Sequence, residues 1–141
     1  MKVSAFAAKG PHEKLEAFSY EMGELGPEQV DVKILNCGIC HSDLSMMNNE
    51  WGMTTYPIVP GHEVIGEVVA AGNAVKNIKV GDKVGVGWFS GSCMSCHECM
   101  DGSQHLCASA EFTIGGRHGG FADYIVSARK PLTHYISTIY C

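Results

Sequence analysis

Apolar and polar positions alternate in short runs along most of the chain, and glycines separate the runs. Residues 29–35 (QVDVKIL) place Val30, Val32 and Ile34 on one face, which predicts a half-buried strand. Other strands are predicted at 3–8, 63–71, 82–88 and 121–127, and one two-turn helix at 42–49. Ser42 is the predicted N-cap of that helix. The pattern favours a mainly β fold, a small and partly open β-barrel with long loops.

Composition makes the chain an ordinary globular protein with room for a core. It has 141 residues, of which 45% are hydrophobic and 18% charged, and its formal net charge is −5. No basic run is present, so nucleic acid and anionic membrane surfaces are not expected partners. Charged residues begin close to the N-terminus, and no segment is both long and apolar. Neither a signal peptide nor a membrane span is therefore predicted. The expected location is the cytoplasm, where thiols stay reduced.

Four of the seven cysteines lie within residues 93–107, the sequence CMSCHECMDGSQHLC. They are Cys93, Cys96, Cys99 and Cys107. An odd total excludes full disulfide pairing within one chain, and a dense cluster in a reducing compartment favours a metal. The spacing C-x2-C-x2-C-x7-C lets four thiolates surround one ion, as in a closed, tetrahedral structural zinc site.

An iron–sulfur cluster is the main alternative for this stretch. The first three cysteines share the C-x2-C-x2-C run of bacterial ferredoxins, but the fourth comes too late and lacks the following proline. His97 and His105 lie in the same stretch as substitute ligands, although four thiolates complete a site without them. Free cysteines packed as small apolar residues are the remaining alternative. Zinc is favoured, and a closed zinc site is a scaffold rather than a reaction centre.

A second group of metal-ligand types comes from two other segments, CGICHSDL and PGHEVIGEVVAAGNAV. Cys40, His62 and Glu63 offer a thiolate, an imidazole and a carboxylate, a set that suits a catalytic zinc with one open position. Asp43 is expected to accept a hydrogen bond from His62 and to fix its ring. Ser42 is expected to exchange a proton with a substrate oxygen at this site.

Neighbouring residues have ordinary structural interpretations. Cys37 precedes a glycine turn and is interpreted as a core residue, and His118 is interpreted as structural. His41 is either a surface residue or part of the site. Trp51 and Met53 either line a pocket or pack against neighbours.

The motifs together resemble one enzyme family. The second segment matches the zinc signature G-H-E-x2-G-x5-G-x2-V of the zinc-dependent medium-chain alcohol dehydrogenases at Gly61, His62, Glu63, Gly66, Gly72 and Val75. CGICHSD, the four-cysteine lobe and GGFADYIV follow that family's order and spacing. Within the family, the chain is most similar to the cinnamyl-alcohol-dehydrogenase branch and to bacterial broad-range NADPH-dependent aldehyde reductases. The resemblance implies a GroES-like β-barrel domain over residues 1–128, with a structural zinc lobe at about 91–110.

The resemblance also implies roles for individual residues. Cys40 and His62 would be catalytic zinc ligands, and Glu63 would lie behind the metal or bind it transiently. Ser42 would begin a proton relay, Asp43 would orient His62, and His41 would face the cofactor's phosphates. The four lobe cysteines would hold the structural zinc. The implied reaction is hydride transfer between NADP(H) and a small alcohol or aldehyde, in an enzyme that is a homodimer.

The sequence departs from this family in three respects. It has no strand–G-x-G-x-x-G–helix unit, so a Rossmann domain is expected to be absent. The family's third catalytic cysteine is missing, and Cys141 lies in no matching context. Residues 129–141 (RKPLTHYISTIYC) form an atypical tail that reads like a shifted reading frame or a truncated gene.

We therefore expect the zinc-binding catalytic part of an alcohol dehydrogenase without the part that holds NADP(H). Such a chain should turn over poorly by itself, bind the catalytic zinc weakly, and expose apolar surface that promotes self-association. The family's dimer, which forms through the nucleotide-binding domains, is not expected. The alternatives are a non-catalytic zinc-binding module and a chaperonin-cofactor-like assembly protein, and the complete zinc signature disfavours the latter.

Overall fold

The computed structural model describes residues 1–127 and 136–138, and this part of the chain is mainly β, as predicted. The strands are β1 (Lys2–Ala7), β2 (Glu16–Glu21), β3 (Val30–Cys37), β4 (Val64–Ala71), β5 (Lys83–Val86), β6 (Phe89–Gly91), β7 (Glu111–Phe112), β8 (Tyr124–Ser127) and β9 (Ile136–Thr138). The helices are α1 (His41–Met47) and α2 (His97–Met100), with a 3₁₀ turn at Gln104–Leu106. None of these helices has the length and apolar character that crossing a bilayer requires.

The described strands form three antiparallel sheets, and none of them closes into a barrel. A five-stranded sheet has the order β8-β3-β4-β5-β9, while β1 pairs with β2 and β6 pairs with β7. The open architecture agrees with the partly open barrel predicted from the sequence. The predictions for residues 128–135 and 139–141, including Cys141, lie outside the described residues.

The main core lies on one face of the five-stranded sheet. Val30 and Val32 of β3 are fully buried against Val64 and Val68 of β4, and Ile34 packs at their edge. This is the face that alternation predicted. Each fully buried valine contributes roughly 1.5–3 kcal/mol relative to an exposed one, so the β3–β4 pair is the main anchor of the fold.

The observed helix begins earlier than predicted. Its N-cap is Cys40, so the prediction of Ser42 was wrong. The reason is that an Asp43 carboxylate oxygen accepts a hydrogen bond from the Cys40 backbone N–H at 3.0 Å, which satisfies a donor at the helix start. The element therefore starts on a candidate metal ligand.

Sequence reasoning missed several short elements. Strand β2 has no fully buried residue, so its sequence carries only a weak alternation of apolar and polar positions and was not recognised as a strand. Strands β6 and β7 have three and two residues, and α2 has four, which is too short for a periodic signal. Helix α2 lies in the cysteine-rich lobe, where the cysteine spacing dominates the sequence, and β6 and β7 flank that lobe.

The loop that precedes His62 is fixed by the segment that precedes β8. Gly120 N–H donates to Gly61 O at 2.8 Å, and Phe121 N–H donates to Pro60 O at 2.9 Å. Gly61 has a φ of +100°, and a Cβ there would lie 2.7 Å from the Phe121 backbone nitrogen. Only glycine fits this conformation and this contact, so the GGF segment determines where His62 emerges.

Candidate metal centres

Cys40, His62 and Glu63 lie together in the structure, although they come from two separate segments. Their candidate ligand atoms are all within 4.8 Å of one another. Cys40 caps α1, and His62 and Glu63 directly precede β4, whose approach is held by a Gly38 N–H to Glu63 O bond of 2.9 Å. His62 is only 6% exposed, Cys40 is half-buried and Glu63 is exposed, so the cluster opens to solvent on one side.

Asp43 organises this cluster from behind. Its side chain is buried, and its Oδ1 accepts hydrogen bonds from Gly61 N–H at 2.8 Å and from His62 Nδ1 at 2.9 Å. Its Oδ2 accepts the Cys40 N–H. Because a carboxylate only accepts, the proton of a neutral His62 is assigned to Nδ1, which leaves the Nε2 lone pair free for a metal. One carboxylate thus positions both Cys40 and His62.

Ser42 and His41 lie on the first turn of α1 beside the cluster. Ser42 Oγ is 3.8 Å from Cys40 Sγ and half-buried, so its hydroxyl is adjacent to the candidate ligands. His41 is exposed on the surface. The predicted proton relay from Ser42 and the predicted contact of His41 with a cofactor stay predictions.

Trp88, Trp51 and Phe112 form an aromatic cluster beside His62, here called the aromatic wall, which was not predicted from the sequence. The Trp88 ring meets His62 edge to face, with centroids 4.9 Å apart and planes at 87°. Trp51 and Phe112 pack on Trp88 at 5.7 and 5.5 Å. Trp51 was singled out as a pocket or packing residue, whereas Trp88 and Phe112 have no spacing that links them to His62. The wall limits ring motion and keeps water from one side of the imidazole.

The four lobe cysteines form the second candidate centre. All their sulfurs lie within 4.8 Å of one another, and Cys93 Sγ is 3.9 Å from Cys99 Sγ. Zinc–sulfur bonds of about 2.3 Å in a tetrahedron put sulfurs about 3.8 Å apart. A disulfide needs about 2.05 Å, and all four residues are free thiols. The spacing therefore fits a tetrahedral thiolate site.

The lobe thiols differ in how readily they ionise. Backbone N–H groups of Ser95 and Cys96 point at the Cys93 sulfur and lower its pKa to about 6. For Cys96, a backbone hydrogen bond from Cys99 acts in the same direction, but burial and hydrogen bonds shared with neighbouring thiols outweigh it and raise the pKa of Cys96 to about 12. Thiols this close do not all ionise unless a positive charge joins them.

Comparisons with known proteins identify the family. The family described as the alcohol dehydrogenase GroES-like domain matches residues 26–136. The chain belongs to this family. The resemblance seen in the motifs is thereby confirmed, and the open β architecture is the GroES-like fold.

Relatives of this GroES-like domain include reductases and dehydrogenases. The chain is 53% identical over 123 residues to the aldehyde reductase AdhA of Synechocystis, which covers 87% of this chain and 37% of the relative. It is 47% identical over 129 residues to cinnamyl alcohol dehydrogenase 7 of Arabidopsis thaliana, with coverage of 86% and 36%. The chain thus spans little more than a third of the length of these curated relatives.

Solved structures give the same fold. A cinnamyl alcohol dehydrogenase from Sorghum bicolor matches with a TM-score of 0.89 and 36% identity, covering 99% of this chain and 41% of that one. The enzyme of the same name from Helicobacter pylori, solved with NADP(H), also has a TM-score of 0.89, at 31% identity, with coverage of 99% and 42%.

Cys37 and His118, which were interpreted from the sequence as core and structural residues, lie outside both candidate ligand clusters of the described residues. Cys37 is half-buried against the main core, where burial raises the pKa of its thiol and makes it a poor nucleophile. His118 packs against the rings of both Phe18 and Tyr20, and burial lowers its pKa. Its Nδ1 is buried with no hydrogen-bond partner among the described residues.

The remaining candidates lie on the surface of the domain. His97 and His105 are exposed, so the four sulfurs surround their centre without them. Trp51 and Met53 are also largely exposed. An apolar groove of about 900 Å³ lies between the β1–β2 ribbon and the end of β3, and Ile39 on its rim is 84% exposed. Apolar surface is therefore exposed, as expected, and self-association stays a prediction.

Proposed function

We propose that this chain is the zinc-binding catalytic part of an NADP(H)-linked alcohol dehydrogenase or aldehyde reductase. The observation that carries the proposal is the mixed cluster of Cys40, His62 and Glu63, in which Asp43 binds His62 Nδ1 and leaves the Nε2 lone pair available for a metal. The names of the relatives support the reaction class, and a related structure with NADP(H) supports the cofactor. A non-catalytic zinc-binding module is the alternative.

The two candidate centres take different roles in this proposal. Four thiolates leave no open position, so the lobe site would be structural. Three mixed ligands leave one position open, so Cys40, His62 and Glu63 would hold the catalytic zinc. A zinc ion there would supply Lewis-acid polarisation of a substrate oxygen. Among the described residues Cys40 is the one thiolate of this cluster, whereas the lobe offers four, so we expect weaker zinc binding there than in the lobe.

The chain's own residues hold and move protons around that centre. Asp43 keeps the Nδ1 proton on His62 and holds the Cys40 backbone in place. Ser42, whose hydroxyl oxygen lies 3.8 Å from Cys40 Sγ, would pass its proton to a substrate oxygen, and His41, which is exposed, would contact cofactor phosphates. Trp88 excludes water from one face of His62.

The wider assignments rest on the family. The substrate would be a small alcohol or aldehyde, and the intact enzyme would be a cytoplasmic homodimer. Residues 1–128 would form the GroES-like catalytic domain, with the zinc lobe at about 91–110 and an atypical tail at 129–141.

A chimera tests the proposal. Residues 1–127 would replace the matching part of the Synechocystis relative, and NADPH oxidation would be followed with a panel of aldehydes. We expect activity in the chimera, its loss in Cys40→Ala, and its retention in Cys37→Ala, since both cysteines lie in CGIC but only Cys40 joins the ligand cluster. Equal activities of the two variants would count against the proposed catalytic centre.

A further inference from the structure

Two buried serines stand side by side at the entrance to the lobe, and they differ in what they touch. Ser92, which follows β6, is 2% exposed, and its Oγ lies 3.1 Å from Met94 Sδ and 3.4 Å from Cys99 Sγ. Ser90, within β6, is 1% exposed, and its Oγ has no hydrogen-bond partner among the described residues. Ser92 thus contacts a cysteine of the candidate metal centre, whereas Ser90 makes no side-chain hydrogen bond to any residue that the structure describes.

The two sulfur contacts of Ser92 cannot remain as they are when a metal binds. In the structure, the Cys99 S–H donates to Ser92 Oγ, and the Ser92 O–H donates to Met94 Sδ. A cysteine that binds a metal loses its proton and can only accept. Lone pairs of Cys99 and Ser92 would then face each other unless the hydroxyl turned. A thiolate is a much stronger acceptor than a thioether, so the turn is favoured.

We propose that Ser92 is a positioning residue of the lobe metal site, which turns its hydroxyl from Met94 to the Cys99 thiolate when zinc binds and thereby retains the ion. The inference rests on the structural zinc of the proposed function. Partners that hydrogen-bond metal ligands commonly change metal affinity by about 10–100-fold when removed. Because Ser92 is buried, water has little access to replace its hydroxyl as a donor, so losing its hydrogen bond to Cys99 should have a measurable effect.

Ser92 reaches Cys99 through its side chain, so a substitution removes this contact and leaves the backbone donors of the lobe in place. Cys93 and Cys107 accept hydrogen bonds from the backbone N–H groups of Cys96 and Ser109, at 3.3 and 3.4 Å. These donors persist in any side-chain variant. The hydrogen bond between Ser92 and Cys99 can therefore be tested while the backbone hydrogen bonds to Cys93 and Cys107 stay intact.

The experiment compares Ser92→Ala with Ser90→Ala in the full 141-residue chain. Zinc would be withdrawn from the lobe by a chromophoric chelator, and the affinity and release rate measured. We expect about 10–100-fold weaker zinc retention in Ser92→Ala and little change in Ser90→Ala. Ser92→Thr, which keeps the hydroxyl, should recover most of the loss. In cobalt-substituted protein, the thiolate-to-metal charge-transfer band should move to lower energy only in Ser92→Ala, because a hydrogen bond stabilises the sulfur electrons.

Equal zinc retention in the two alanine variants would overturn the inference. If Ser92→Ala does not fold, wild-type protein loaded with the NMR-active cadmium isotope decides instead. A Ser92 hydroxyl proton with scalar coupling to cadmium supports the proposal, and a Ser92 hydroxyl proton without coupling overturns it. A wild-type lobe that binds no zinc would instead contradict the proposed function itself, so the two failures are distinguishable.

Discussion

Replacing Asp43 with asparagine tests whether one buried carboxylate organises the mixed site. Asparagine has the same shape, so it adds no cavity. With its oxygen at the Oδ1 position it still accepts from Gly61 and His62, but its NH₂ group then faces the Cys40 N–H, which also donates. The substitution therefore removes one bond and the negative charge that strengthens the other two.

The size of the effect follows from these contacts. A hydrogen bond to a charged group contributes about 1.5–3 kcal/mol, so the metal-free Asp43→Asn protein should unfold more easily by roughly 2 kcal/mol. Loss of the charge behind His62 should also weaken zinc binding at the mixed site by about 10–100-fold, which corresponds to about 1.4–2.8 kcal/mol. Zinc affinity at the lobe should be unaffected, because the hydrogen bonds of Asp43 go to Cys40, Gly61 and His62, none of which belongs to the lobe.

The assay is a zinc competition titration that resolves the weaker of two sites, together with urea unfolding in excess chelator. Asp31→Asn is the matched control, since Asp31 is a half-buried carboxylate on β3 outside the cluster and should leave zinc affinity unchanged. If Asp43→Asn binds the second zinc as tightly as the control does, the claim that Asp43 positions the ligands is refuted.

Three further predictions follow from single contacts. Gly61→Ala should destabilise the fold by about 1–3 kcal/mol in urea unfolding, because Gly61 has a positive φ and an added Cβ would clash with Phe121. Gly87→Ala is the control and should not destabilise the fold, since no atom lies within 4 Å of its added Cβ. His118→Phe should stabilise the protein increasingly as the pH falls below the ordinary histidine pKa of 6.5. Burial lowers the pKa of His118, so the unfolded chain binds that proton first and the wild type loses stability at low pH. An equal change in the free energy of unfolding at about pH 5 and at about pH 8 would contradict this. Cys99→Ser should lower the thermal midpoint in zinc-containing buffer and change it little in excess chelator, as calorimetry can show.

Local motifs made much of both candidate sites predictable. The signature around His62 and the cysteine spacing of the lobe each place ligands within a few residues of one another, and the structure brings both groups together. The contact between Asp43 and His62 was also expected, and it is present at 2.9 Å. Alternation located β3, because a half-buried strand requires that pattern.

Other features depend on contacts between distant segments, which no local pattern records. Trp88 reaches His62 only because the strands around it bring the two segments together. The helix start at Cys40 was missed because Asp43, and not Ser42, satisfies the backbone donor there. The contrast between Ser90 and Ser92 is likewise invisible in the sequence, where the two serines flank the same glycine.

The central claim is that the chain builds two zinc centres of different kinds, and zinc stoichiometry tests it most directly. Native mass spectrometry of protein purified without chelator should find two zinc ions per chain. Cys40→Ala should retain one ion, and Cys99→Ser should lose the tightly held one. A wild-type chain with a single zinc that Cys40→Ala leaves in place would contradict the catalytic centre, and a chain without zinc would contradict the whole account.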